Sequence, residues 1–326
     1  MSFGAPTAQS FPKNKDRKMI MIPKHLKLVF LLGAAYPATI VPSIALGQSA
    51  PIIEENAEQR INFSGKLRML SQRVPSAACH FSRGIDVEGS AALLVAATTE
   101  FEKILTGLEF GDADLSIQLP ETNGQTLALI AELRTLWEPL RAAAEAVAND
   151  TATEAERNYV LNENLPVLRA AQLLVERLVQ QYSNPNATTF AALVLVDISG
   201  RQRMLTQKMS KESCILEGDF DTTVTVEDLQ TTMRIFENSL DALQNGMPVV
   251  GVQPPPNDMI ATGLDGVLTD WSGAKPYVTE VLAGNSLDAD GNTVKFQQLN
   301  VTMANMNTVV GMYVDAAATL VPLDNM

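Results

Sequence analysis

Histidine, cysteine and tryptophan are almost absent from this sequence, with two of each in 326 residues. His25 precedes an apolar N-terminal stretch, so His80 is the only imidazole in the body of the chain. No Ser-His-Asp set, paired catalytic carboxylate or phosphate loop stands out, and the sequence reads as a non-enzyme without a cofactor. Cys79 and His80 are too thin a set for a metal, because neighbours on a helix point apart. Basic charge is scarce as well. The net charge of −13 argues against nucleic acid or an anionic membrane surface as a partner. A local pair of arginines can still override that global charge at short range. Strand alternation is missing too; the run from Thr223 to Val226 is too short to count. Disorder is excluded by an apolar content of 46% with only 19% charged residues.

There is a single long apolar run, Leu28 to Gly47, preceded by Lys24, His25 and Lys27. Ala45-Leu46-Gly47 resembles a small-x-small cleavage site before Gln48, so residues 1–50 read as an export leader, with Met19 or Met21 as alternative starts. The run is long enough to anchor in the inner membrane if uncleaved, although Pro37 and Pro42 favour cleavage. The rest of the chain is expected in the periplasm, touching a membrane only through an uncleaved leader.

What is present is written twice. Ile61 to Cys79 reads INFSGKLRMLSQRVPSAAC, and Val196 to Cys214 reads VDISGRQRMLTQKMSKESC. The offset of about 135 residues is too long for a solenoid unit and indicates duplicated domains. Phe101-Glu102 matches Phe236-Glu237, Leu105 and Leu108 match Leu240 and Leu243, and Gly111 matches Gly246. Trp137 corresponds to Trp271 and Asn164 to Asn300. The expected units are residues 51–184 and 185–326.

Apolar residues at three- and four-residue spacing predict helices over 52–83, 89–110, 124–149 and 154–183, then 187–218, 226–246, 258–283 and 293–321. Gly, Pro, Asn and Asp mark the loops between them. Four amphipathic helices with short connections predict an up-down bundle. The expected fold is therefore all-α: two tandem up-down four-helix bundles related by a pseudo-two-fold. Met303, Met306 and Met312 read as core filler rather than a copper site.

On the repeated helix, at about 100° per residue, Phe63, Leu67, Leu70, Val74, Ala77 and Phe81 form one stripe facing their own bundle. Ile198, Leu205, Met209 and Leu216 repeat it, interrupted by Gln202 and Glu212. On the opposite side lie Ile61, Gly65, Arg68, Gln72 and Cys79, with counterparts Val196, Gly200, Arg203, Gln207 and Cys214. Such a helix is built to bury both sides, and the other copy is the obvious partner. Gly65 and Gly200 allow close approach or leave room for a small ligand. Arg68 and Arg203 would meet near the axis, where they repel unless an anion lies between them; a planar oxyanion matches the guanidinium fork. Gln72 and Gln207 would add amide donors. The alternative is that the arginines snorkel to solvent or pair with acids on other helices. Cys79 and Cys214, equivalent and near the axis, form either a disulfide suited to an oxidising compartment or two buried thiols. Arg73 and Lys208 fall off the arginine stripe and read as flank residues.

The segments INFSGKLRMLSQR and ISGRQRMLTQKM resemble the N-terminal sensory domain of type IV pilus methyl-accepting chemotaxis transducers (PilJ-type) and the P-box of NarX-like nitrate/nitrite sensor kinases. The resemblance implies periplasmic helical bundles, with nitrate or nitrite clamped by arginines from two copies of this helix. Arg68 and Arg203 then become ligand clamps, and Gly65 and Gly200 supply backbone contact. The second transmembrane helix and signalling module of those families have no counterpart in this sequence, so a separate membrane-bound signalling partner is expected. Pro75 has no equivalent in the second copy, and Asp197 replaces Asn62. The contrasting expectation is a structural or interaction protein of type IV pilus or envelope systems with no small ligand.

Overall fold

The computed structural model describes residues 57–182 and 187–319. The leader expected over residues 1–50 lies outside the described residues. Nine α-helices occur among them: α1 Ala57–Ser82, α2 Val87–Phe110, α3 Gly124–Ala148, α4 Glu154–Asn162, α5 Asn164–Tyr182, α6 Ala187–Leu216, α7 Val226–Asn245, α8 Asp258–Leu282 and α9 Ala289–Thr319. Helices α1 to α5 make one bundle and α6 to α9 the other, an all-α repeat as expected. None of these helices is long and apolar enough to cross a membrane.

One predicted helix, 154–183, is two. It breaks at Glu163 because Pro166 has no N–H to return to the Asn162 carbonyl. The break puts Asn164 at the head of α5, where its amide nitrogen donates back to the carbonyls of Val160 and Leu161 at 3.2 and 2.6 Å. The last helix also starts at Ala289, earlier than the expected 293.

Elsewhere the ends follow local chemistry. Thr153 with Glu156, and Thr225 with Asp228, form reciprocal capping boxes at the starts of α4 and α7. Helices α2 and α7 both stop at glycines, Gly111 at φ 84° and Gly246 at φ 76°, a region side chains rarely enter. Each is followed by a short 3-10 turn closed by an isolated bridge, Asp112 with Ile117 and Met247 with Val252, so the duplicated register extends into the loops.

Both bundles are tied the same way. In the first, Phe101 stacks on Trp137 at 3.8 Å while the indole N–H donates to Glu102. In the second, Phe236 meets Trp271 edge-on at 5.1 Å and the indole donates to Glu237. Aromatic pairs of this kind contribute about 0.5–1.5 kcal/mol beyond their buried area. Met303 and Met306 are buried in the core, with Met312 against it.

Helices α1 and α6 form the most extensive helix–helix contact among the described residues. Leu67, Leu70, Val74 and Ala77 are buried toward their own bundle, while Ile61, Gly65, Arg68, Gln72 and Cys79 are buried on the other stripe. A single apolar cluster runs through both bundles. Pro75 interrupts α1 without loss of order: the Ser71 carbonyl, deprived of its N–H donor four residues on, accepts instead from the Gln72 amide at 3.2 Å. Ser210 stands at the equivalent place in α6 and hydrogen-bonds Ser76 across the interface at 2.8 Å.

Candidate functional site

The two repeated helices bring Arg68 and Arg203 together in a reciprocal arrangement. Arg68 Nη2 donates to the main-chain carbonyl of Asp197 at 3.3 Å, and Arg203 Nη2 donates to that of Asn62 at 3.2 Å. Each Nη1 reaches an amide oxygen on the last helix of its own bundle, Arg68 to Gln172 and Arg203 to Asn307, both at 2.7 Å. Positions 62 and 197 are equivalent in the repeat, as are 172 and 307. Contacts exchanged this way define an internal two-fold. A Cβ on Gly65 would stand 3.2 Å from Arg68 Nη2 and 3.6 Å from Arg203 Nη2; on Gly200 the distances are 3.3 Å to Arg203 and 3.5 Å to Arg68. Both glycines therefore border both guanidinium groups.

Neither arginine snorkels: Arg68 is 0% and Arg203 1% exposed. Their counter-charges differ. Arg68 has the Asp197 carboxylate at 2.7 Å, and the depression of its pKa by burial is opposed by that charge. Arg203 has no carboxylate within salt-bridge reach among the described residues. Burial, then the nearby Arg68 charge, push it down to about 9. A buried cation satisfied only by neutral oxygens carries a desolvation penalty of several kcal/mol, which an anion would offset.

One turn further on, the glutamines are engaged. Gln72 and Gln207 donate to Asn164 and Asn300 respectively, each at 3.2 Å. Their oxygens accept cations from the opposite copy, Gln72 from Lys211 at 2.9 Å and Gln207 from Arg73 at 3.4 Å. Arg73, expected at the flank, thus crosses into the interface and also approaches the Met303 sulfur at 3.5 Å. Lys208 does stay in its own bundle, held by Glu212 and Thr232. Lys211 is fully buried, bonded also to Asn164 at 2.9 Å, and burial lowers it to about 8.

Cys79 and Cys214 form a disulfide with Cα atoms 6.2 Å apart, closing the far end of the same stripe. Beside it, His80 stacks on Phe296 at 4.1 Å and its Nδ1 lies 2.8 Å from the Ser76 carbonyl. That carbonyl can only accept, so Nδ1 carries the proton and Nε2 is a buried bare acceptor. Arg83 donates to the Cys214 carbonyl at 3.3 Å, covering one of the last carbonyls of α6. The buried Lys295–Glu217 ion pair lies near it.

Gln172, Asn307, Arg73 and Lys211 were not expected at the interface. For the first two a signal existed: both are amides 135 positions apart, the offset of the repeat. Lys211 had none, because Ser76 stands opposite it in register.

The chain is thus a duplicated helical bundle that pairs two buried arginines across an internal axis. The family model for the N-terminal domain of type IV pili methyl-accepting chemotaxis transducers (PilJ) matches residues 53–162 and 192–296, and the chain belongs to this family. No curated protein matches the chain.

Proposed function

We propose that this chain is a periplasmic sensory module that holds a small planar oxyanion, nitrate or nitrite in preference, between Arg68 and Arg203, and that it reports to a membrane-bound signalling partner. Family membership supports the sensory role. The observation that carries the ligand is Arg203: a fully buried guanidinium beside a second one, with no salt-bridged carboxylate among the described residues and only the longer-range charge of Glu100 to offset burial. An oxyanion between the two would relieve their repulsion and accept paired N–H donors in its own plane. Gly65 and Gly200 leave the neighbouring backbone open to it, and Gln72 and Gln207 would turn amide donors toward it from Asn164 and Asn300.

The second reading, a structural or interaction module of type IV pilus or envelope systems with no small ligand, is favoured by the Arg68–Asp197 ion pair, which counters the charge of one arginine internally. Thermal unfolding of the full chain in chloride-free buffer separates the two. On the first reading sodium nitrate or nitrite raises Tm, by about 2.7 kcal/mol of stabilisation at one hundred times Kd, and Arg68→Ala with Arg203→Ala removes the shift. No shift in the wild type, or a shift retained by the double variant, sinks it.

A further inference from the structure

We propose that Asp197 is a built-in competitor for the oxyanion site, leaving Arg203 as the arginine that chiefly holds the ligand; this rests on the oxyanion reading above. A carboxylate is itself a planar oxyanion, and Asp197 Oδ1 sits 2.7 Å from Arg68 Nη1. Its other oxygen lies 3.4 Å from Arg201, and its side chain is 18% exposed, so it occupies the margin of the interface. The first copy has no such charge. Asn62 stands there, its Oδ1 buried and without a hydrogen-bond donor among the described residues. Main-chain contacts obey the two-fold, since each arginine takes the opposite carbonyl at 62 or 197, while the side-chain charge breaks it.

The consequence is electrostatic. The carboxylate cancels about one of the two positive charges, so an incoming anion feels a net attraction of about one charge rather than two. The attraction lost scales with the ligand's charge, so Asp197 costs divalent sulfate more than monovalent nitrate. Asp197→Asn restores the residue of the first copy at nearly constant volume and removes the competitor. Asn62→Asp does the converse, giving Arg203 a carboxylate of its own.

Calorimetric titration of sodium nitrate and sodium sulfate into the full chain, in chloride-free buffer, tests this. Asp197→Asn is expected to bind nitrate about tenfold more tightly than wild type, the size of one unit-charge interaction across several ångströms of protein edge, with sulfate gaining more than nitrate. Asn62→Asp is expected to weaken nitrate by a similar factor, and it keeps the test open if Asp197→Asn fails to fold. The double exchange should return nitrate affinity near wild type and move the dependence from Arg203 to Arg68, read by alanine at each. If the wild type binds nitrate while Asp197→Asn binds it no more tightly, or Asn62→Asp no more weakly, the role of Asp197 is overturned and the oxyanion site stands. Should neither the wild type nor Asp197→Asn bind nitrate, the oxyanion reading fails and this proposal with it.

Discussion

A methyl group placed on Gly65 would lie 3.6 Å from Nη2 of Arg203, an atom delivered by the other half of the chain. It would also crowd Arg68 Nη2 at 3.2 Å. Two effects then oppose each other. Replacing a mid-helix glycine by alanine favours the helix by about 1 kcal/mol, and the buried guanidinium groups must yield a few tenths of an ångström. We expect Gly65→Ala with Gly200→Ala to leave ligand-free stability within about 1 kcal/mol of wild type and to abolish nitrate-dependent stabilisation. Urea unfolding with and without nitrate measures both, and a double variant that keeps its nitrate response would show that the glycines do not shape a ligand site.

The disulfide joins residues 135 positions apart. On a chain-entropy account a loop of that length stabilises the folded state by about 5 kcal/mol, an upper figure because unfolded chains retain structure. Cys79→Ala with Cys214→Ala is therefore expected to lower the unfolding free energy by about 3–5 kcal/mol. Denaturant titration of the oxidised wild type against the double variant checks this; a difference below about 1 kcal/mol would mean that α1 and α6 hold together without the bond.

His80 should remain neutral well into the acid range. Burial, only partly opposed by its bond to the Ser76 carbonyl, lowers its pKa to about 3. As pH falls from 6.5 toward 3 the unfolded chain takes up a proton that the native imidazole refuses, so stability is lost across that window, by roughly 4–5 kcal/mol at its acid end. Imidazole NMR signals, assigned with His80→Asn, should show no native titration of His80 between pH 7.5 and 5; a midpoint near 6.5 would contradict the buried, singly protonated ring.

Lys211 gives a slope of the same sign, in a window at higher pH. Its native pKa of about 8, lowered first by burial, lies below the ordinary lysine value of 10.5, with Glu212, Lys208 and Asp228 the charges that act on it. Between those values the unfolded state holds more protons, so stability rises with pH through the window, by up to roughly 3 kcal/mol from this group. Lys211→Met should flatten the rise between pH 8 and 9.5, seen as a smaller shift in urea midpoint than wild type shows. Equal slopes in the two proteins would place the proton elsewhere.

Much of this fold was legible because a three-to-four-residue apolar period is a strong signal over twenty residues, and the duplication supplied each helix twice. The exception is instructive. The apolar period runs unbroken through Val160, Leu161, Val167 and Ala170, so the break at Glu163 is visible only through what Pro166 does to the carbonyl behind it. At the site, the helical wheel found the stripe that carries Arg68, Arg203 and the cysteines. It could not find their partners, because Gln172 and Asn307 arrive from helices whose rotation about their own axes is set by packing. Arg73 was misplaced for a related reason: its length lets it reach Gln207 from a position that the wheel puts off to the side.

The internal axis has a consequence for how such a site can change. In a symmetric dimer of separate chains every substitution falls on both sides of the axis, so a carboxylate added beside one arginine is added beside both. Covalent duplication removes that rule. Asn62 and Asp197 occupy one position in two states within a single molecule, an inequality that no pair of identical chains can encode, so one side of the axis can change while the other stays as it is.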